Sequence, residues 1–232
     1  ATPPTDLDQV RPILPGDEAI AVLADLDVQA DYRIRGRFPG FGGKGQESII
    51  EVEGPNGPVI RYIIDPGSAP DTMYLDAESL ALTARRLLNP FAKYRMDIRV
   101  EQNRVVAELE KLEGADPNLP SLLEGELPHA VFEVNTLDLV LASLPLEAGY
   151  LVKLPYLVLE QPPTVQWMRV EVAGRDTVEL ADGPIGVWRV ELHASSGERT
   201  TVWVDPATTA KAKASYGRTG RTWTRSGSPR RQ

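Results

Sequence analysis

Two histidines, His129 and His193, are the only imidazoles in the chain. His129 sits in a strand start flanked by Pro128, and His193 follows Val190 and Leu192 in a strand-like run. Neither belongs to an HxH or HxxxH spacing, so a histidine metal site is not expected. Cysteine is absent, which removes thiolate ligands, cysteine nucleophiles and disulfides together. No Gly-x-Ser-x-Gly elbow occurs, and nothing in the spacing supports a Ser/His/Asp triad. Asp25 with Asp27, and Glu51 with Glu53, stand two apart. On a strand such pairs share one face and could hold calcium, or do glycosidase-type acid/base work if opposed across a cleft. The calcium-loop pattern with its central Gly and terminal Glu is missing, and solvated strand charges are the better reading. The glycine-rich stretch Phe38–Gly45 invites comparison with a phosphate cradle. That cradle needs a turn leading into a helix, with Lys followed by Ser or Thr. Here Gly45 and Gln46 follow Lys44, and Ser48–Val52 reads as a strand, so the stretch is a hairpin loop. The expectation is a protein with no catalytic residues, no metal and no cofactor.

Apolar binding is the chemistry that remains. Trp167, Trp188, Trp203 and Trp223 all fall on strands of the second half. They could line an apolar groove or stack on sugars, but filling a sheet's core is the preferred reading. Leu137, Leu139, Val140, Leu141 and Leu144 are apolar almost all round, too apolar for a surface helix. That helix should plug a concave sheet or guard a ligand site on it. The candidate ligand contacts are therefore Trp167, Trp188, Trp203, Leu139 and Leu141.

The elements that must position these residues are mostly strands. Of 232 residues, 42% are hydrophobic and 25% charged, a globular balance. The 20 prolines and 19 glycines punctuate the whole chain, which suits many short strands. Residues 1–16 read as an extended, Pro-rich leader. Asp17 could cap a helix to about Leu26. Tyr32 and Ile34 alternate with Arg33, Arg35 and Arg37 at the strand period of two. Glu47–Glu53 and Pro58–Asp65 flank the hairpin turn Gly54-Pro55-Asn56-Gly57. A strand starts at Met73, and 77–88 reads as a turn and a strand. Tyr94–Val100 and Val105–Leu112 join at Gln102-Asn103. Residues 114–127 read as a loop between two repeat-like halves, 17–113 and 128–225. Asn135 or Thr136 should cap a short helix that ends at Pro145. Strands follow over Tyr150–Leu159, Val165–Ala173, Arg175–Leu180, Val187–Ala194, Arg199–Asp205, Ala210–Tyr216 and Arg221–Arg225. Residues 226–232 read as a disordered tail. An internal echo links Met73–Ser79 with Val202–Thr208: in each, an aromatic and an aliphatic residue precede an Asp that opens a turn.

Charge and length bound the partners. The net charge is −8. Seven of the 25 Lys and Arg residues follow Asp205, where no acid occurs, so the remainder carries 18 positive against 33 negative charges. Such a body repels phosphate backbones, and nucleic-acid binding is not expected. The longest apolar run, Leu137–Leu146, is interrupted by Asp138 and Ser143 and falls short of the about 20 residues of a transmembrane helix. The opening Ala1-Thr2-Pro3-Pro4 resembles a mature end left by signal-peptide cleavage, which points to export.

The stretch Leu137–Tyr216 resembles a family of exported bacterial proteins of unknown function. The resemblance rests on the apolar helix, on Leu144-Pro145-Leu146-Glu147-Ala148-Gly149, and on Val172-Ala173-Gly174-Arg175-Asp176-Thr177-Val178. It continues through Gly186-Val187-Trp188-Arg189-Val190-Glu191 and closes on Val202-Trp203-Val204-Asp205-Pro206. That family is similar in fold to the periplasmic lipoprotein carriers (LolA-like). The resemblance implies a mainly β protein, a strongly curved antiparallel half-barrel with a short helix on its concave side. It also implies a non-catalytic role in the cell envelope, binding a lipid or other apolar ligand, or serving as a scaffold for envelope proteins with a self-filled core. A hydrolase is the third reading.

Overall fold

The computed structural model describes residues 7–23, 26–37, 42–67 and 69–231. Ala1–Pro4, Asp25 and Phe38–Phe41 therefore lie outside the described residues. The first series of strands is β1 (Val28–Arg35), β2 (Gly42–Gly54), β3 (Gly57–Asp65), β4 (Asp71–Asp76), β5 (Leu82–Asn89), β6 (Tyr94–Glu101), β7 (Arg104–Lys111) and β8 (Leu122–Glu126). A 3-10 turn over Val134–Thr136 leads into the helix α1 (Leu137–Ser143). The second series is β9 (Leu151–Val158), β10 (Thr164–Leu180), β11 (Gly183–Ala194), β12 (Arg199–Val204), β13 (Lys211–Tyr216), β14 (Arg221–Arg225) and β15 (Arg230–Arg231).

Each series is a meander, and the two are joined by hydrogen bonds between β1 and β14. The spatial order is β8-β7-β6-β5-β4-β3-β2-β1-β14-β13-β12-β11-β10-β9, with β15 also on β1. All named pairs are antiparallel, and the sheet is not closed into a barrel. Its curvature follows from alternation. On β1, Val28, Ala30, Tyr32 and Ile34 are buried while Arg33 and Arg35 are exposed. The buried set shares one cluster with Ile49, Ile60 and Leu75 of the first series, Val170 and Val190 of the second, and α1 itself. A hydrophobic face this large must be covered, and curling around a helix covers it without closing a barrel. Leu139, Val140 and Leu141 are fully buried, as expected of a helix apolar on every side. The two sheet ends meet through side chains: Leu157, Leu159 and Val165 pack on the Met96, Ile98 and Leu123 cluster.

The echo in the sequence is an echo in structure. β4 ends at Asp76, whose Oδ1 accepts from the Ser79 N–H at 2.7 Å and the Ser79 hydroxyl at 2.7 Å. Beyond the end of β12, Asp205 Oδ1 accepts from the Ala207 N–H at 2.9 Å. The register slips at Tyr74/Leu75 against β5 and at Trp203/Val204 against β13. Both turns thus feed a bulge, which bends the strand and strengthens its twist.

Several expectations are corrected. Described residues 17–23 and 26 form a short turn and irregular chain rather than a helix: Asp17 Oδ1 caps the Ala19 N–H at 2.9 Å. The two strands expected over 165–180 are one, β10, because Gly174, at φ 137°, makes a bulge and not a reversal. Residues 122–126, within the expected loop, pair with β7. Within the expected tail, Arg230 and Arg231 pair with Gln29 and Val28. The 3-10 turn is capped by Glu133, whose carboxylate accepts from the Asn135 N–H, while Thr136 makes no side-chain cap to α1. Gln102 and Asn103 adopt φ of 47° and 66°, as a tight hairpin requires.

Candidate functional site

The bulge on β13 turns Lys211 inward, opposite Val204. There its ammonium meets three elements. It contacts Glu47 Oε1 of β2 and lies 2.9 Å from Asp138 Oδ2 of α1. It is 3.5 Å from the Tyr62 hydroxyl of β3, which itself donates to Asp138 Oδ2 at 2.8 Å. The Tyr32 hydroxyl donates to the Lys211 carbonyl at 3.0 Å. Lys211, Glu47 and Asp138 are all buried, and a buried charge survives only when paired and hydrogen-bonded. Burial opposes the charge on Lys211, but Asp138 and Glu47 outweigh it and hold its pKa well above the ordinary lysine value. Burial pushes the Glu47 carboxyl up; Lys211 opposes this and Asp138 adds to it. The second Glu47 oxygen is buried without a hydrogen-bond partner. Tyr216, also on β13, is pushed up to about 12, chiefly by burial.

A second set, one cation with two carboxylates, anchors the 3-10 turn that leads into α1. Arg85 of β5 donates to both oxygens of Asp71, at 2.9 and 2.6 Å, and to Glu133 Oε1 at 2.6 Å. Burial raises the pKa of Glu133, against the pull of Arg85. Each set places one cation between two carboxylates. Together they tie the 3-10 turn and α1 to strands of both series.

Between these anchors the concave face is open. A cavity of about 480 Å3 runs beside the helical segment toward the second series. Its apolar wall includes Leu137, Leu157, Leu159, Met168 and Leu192, while Arg85, Glu133, Asp138, Glu198, Lys211 and Arg218 supply charge. A groove of about 390 Å3 adjoins it and shares Arg85, Asn135 and Tyr216. Glu47 lines that groove, and Phe91, exposed in the β5–β6 turn, stands at it. An apolar wall facing fixed polar groups is a form that small-molecule sites take.

The sequence candidates lie elsewhere. Leu139 and Leu141 are fully buried in the core. Trp167 and Trp203 are on the outer face, against Lys153 and His129, and against Lys213 and Asp176, respectively. Trp188 packs against the core under the Arg175 guanidinium, 3.8 Å from its ring. Trp223, assigned to the core, is there, 5.8 Å from the Tyr32 ring. Gly45 makes that packing possible, since a Cβ on it would stand 2.9 Å from Trp223. None of the five candidates lines the 480 Å3 cavity. His193 is on β11, while His129 lies in a bend after β8 and not in the expected strand start, and Glu51 and Glu53 are exposed on β2. Among the described residues no three His, Asp or Glu side chains group to hold a metal, and no helix is long and apolar enough to cross a membrane.

Sequence reasoning missed Glu47, Lys211, Asp138, Arg85 and Glu133. A signal existed for three of them. Asp138 interrupts an apolar helix, Glu47 has the inward parity of Ile49, and Lys211 takes the place in the echo that Leu82 holds in the first copy.

The chain matches the family described as Protein of unknown function (DUF3108) over residues 67–219, more than half its length, and belongs to that family. The match takes in α1 and both echoing turns. No curated protein and no solved structure matches it.

Proposed function

We propose that this family member is a non-catalytic binding protein of the cell envelope that holds a lipid or other amphipathic molecule on the concave face of its sheet. The observation that carries the reading is the cavity beside α1. Its volume of about 480 Å3 lies in the range of small-molecule sites, and its Leu and Met wall would receive an acyl chain. Each methylene buried there contributes about 0.8 kcal/mol. Each cation of the two sets is held by two carboxylates, Lys211 by Glu47 and Asp138, Arg85 by Asp71 and Glu133, so these charges are engaged in ion pairs. That pattern suits anchoring and orientation better than turnover. Export belongs to the same proposal and rests on the resemblance to an exported family; fractionation of the native host tests it.

A fluorescent fatty acid tests the binding. Saturable uptake is expected, and Leu192→Trp, which fills the cavity, should weaken it at least tenfold. Uptake that is unchanged in Leu192→Trp would place the lipid elsewhere and end this reading. A scaffold with a self-filled core is the second reading. It is favoured by the solid packing of Ile13, Ile49, Ile60 and Leu139, all fully buried. It predicts no uptake at all.

A further inference from the structure

The outer face of the sheet carries different chemistry. β10 and β11 outrun their neighbours, and the bulge at Val172/Gly174 sends their far ends back across that face. Val178 and Val187 of this arm bury against Ala212, with Trp203 beside them. The tip is pinned to the chain after β14: the Ala181 N–H donates to the Ser226 carbonyl at 3.2 Å, and Asp182 accepts from the Ser228 N–H at 2.7 Å. Under the arm is a groove of about 520 Å3. Thr177 and Glu179 of β10 line it from above, and Arg33, Arg35, Lys213 and Thr224 line it from the sheet.

The cations here are arranged unlike those elsewhere on the sheet. On β5–β8, exposed arginines face carboxylates on the neighbouring strand: Arg86 and Asp97 at 2.8 Å, Arg95 and Glu110 at 3.1 Å, Arg104 and Glu124 at 3.0 Å. On β1 the opposite holds. Arg33 lies directly across from Lys44, and like charges in that register repel. Among the described residues neither Arg33, Arg35 nor Lys44 has an ion-pair partner. The row continues through Thr224 to Lys213, which sits 4.3 Å from the Trp203 ring. A protein of net charge −8 thus concentrates positive charge in one overhung groove: Arg33 and Arg35 have no ion-pair partner among the described residues, Lys213 is within electrostatic reach of Asp176, and Glu179 is the acid that lines the groove. Guanidinium forks beside threonine hydroxyls match phosphate oxygens.

We propose that this groove is a binding site for a small phosphorylated molecule bearing at least two negative charges. It is separate from the concave cavity, so either site can fail alone. The probe is pyrophosphate, titrated calorimetrically into the full chain at low ionic strength. Saturable binding is expected, weakened at least tenfold in Arg33→Gln/Arg35→Gln. The control Arg95→Gln/Arg104→Gln removes the same charge from paired positions and should bind as the parent does. Thermal unfolding checks the fold, and the groove variant should unfold no lower than the parent, because the Arg33–Lys44 repulsion is gone. Absence of saturable binding, or equal weakening in both double variants, overturns the proposal. Retention on anionic phospholipid vesicles without pyrophosphate binding overturns it in favour of a membrane surface.

Discussion

The β4–β5 and β12–β13 connections are the same device used twice, and they differ at one decisive position. In each an Asp at or just beyond the strand's end caps the turn, and each turn feeds a bulge. After the first bulge, Leu82 faces inward opposite Leu75; after the second, Lys211 faces inward opposite Val204. Leu82 needs only apolar neighbours. Lys211 needs Glu47, Asp138 and Tyr62, drawn from two strands and the helix. The second Asp also takes on an extra duty, since Arg225 donates to Asp205 Oδ2 at 2.6 Å. One turn is therefore purely structural. Its copy organises a buried charge that lines a cavity. A buried ion set is weak evidence for stability, so this difference points to the site.

Breaking the charged copy should have the largest effect. Lys211→Ala strands two buried carboxylates and should cost about 3–5 kcal/mol in urea unfolding. Leu82→Ala, the matching change in the other copy, leaves only a cavity and should cost about 3 kcal/mol. If Lys211→Ala proves no worse than an exposed substitution, the ion set is not closed as described. Asp76→Ala removes the turn bonds to Ser79 and should cost about 1–2 kcal/mol by the same assay. Converting the charged copy to the apolar pattern sharpens the comparison. Glu47→Leu/Lys211→Leu/Asp138→Asn keeps an acceptor for Tyr62, and stability should stay within about 1 kcal/mol of the parent or rise. Fatty-acid uptake should fall, because the polar anchor is gone.

The two copies also differ in the sign of their pH dependence. Burial opposes ionisation of Asp76, but hydrogen bonds from Ser79 and Glu78 prevail and hold it below the ordinary 3.8. Its contribution is present above that value and lost as the pH falls through the lowered one. Glu47 is raised from 4.5, so the folded state binds the extra proton. Its contribution is present below 4.5 and lost as the pH rises through the raised value. One such group gives a slope of at most about 1.4 kcal/mol per pH unit. Unfolding followed from pH 4 to pH 8 should show that decline in the parent and a shallower one in Glu47→Gln, where the raised Glu133 remains. Equal slopes would assign the proton to another group.

Much of this fold is legible in the sequence because strand period and turn chemistry are local. Tyr32 and Ile34 alternating with arginines, Asn56-Gly57 and Gln102-Asn103 each specify their element without reference to the rest of the chain. The pairing of β1 with β14 is not local, and no pattern at either strand announces it. Gly174 misleads for a related reason: a turn and a bulge both favour glycine, and only the partner strand distinguishes them. The candidate site was less legible. Tryptophans and leucines mark where apolar surface is abundant, and in this sheet abundance means core or outer face. The cavity is marked by polar residues at inward parity, Glu47 and Lys211, and by Asp138 within an apolar helix. Those exceptions to pattern were the informative residues.

Native mass spectrometry of the protein taken from its own host, before and after organic extraction, tests the central claim most directly. The account predicts a mass excess that extraction removes and that Leu192→Trp reduces. A bare chain mass in both preparations would contradict it, and would leave the concave face as a packed core with an incidental cleft.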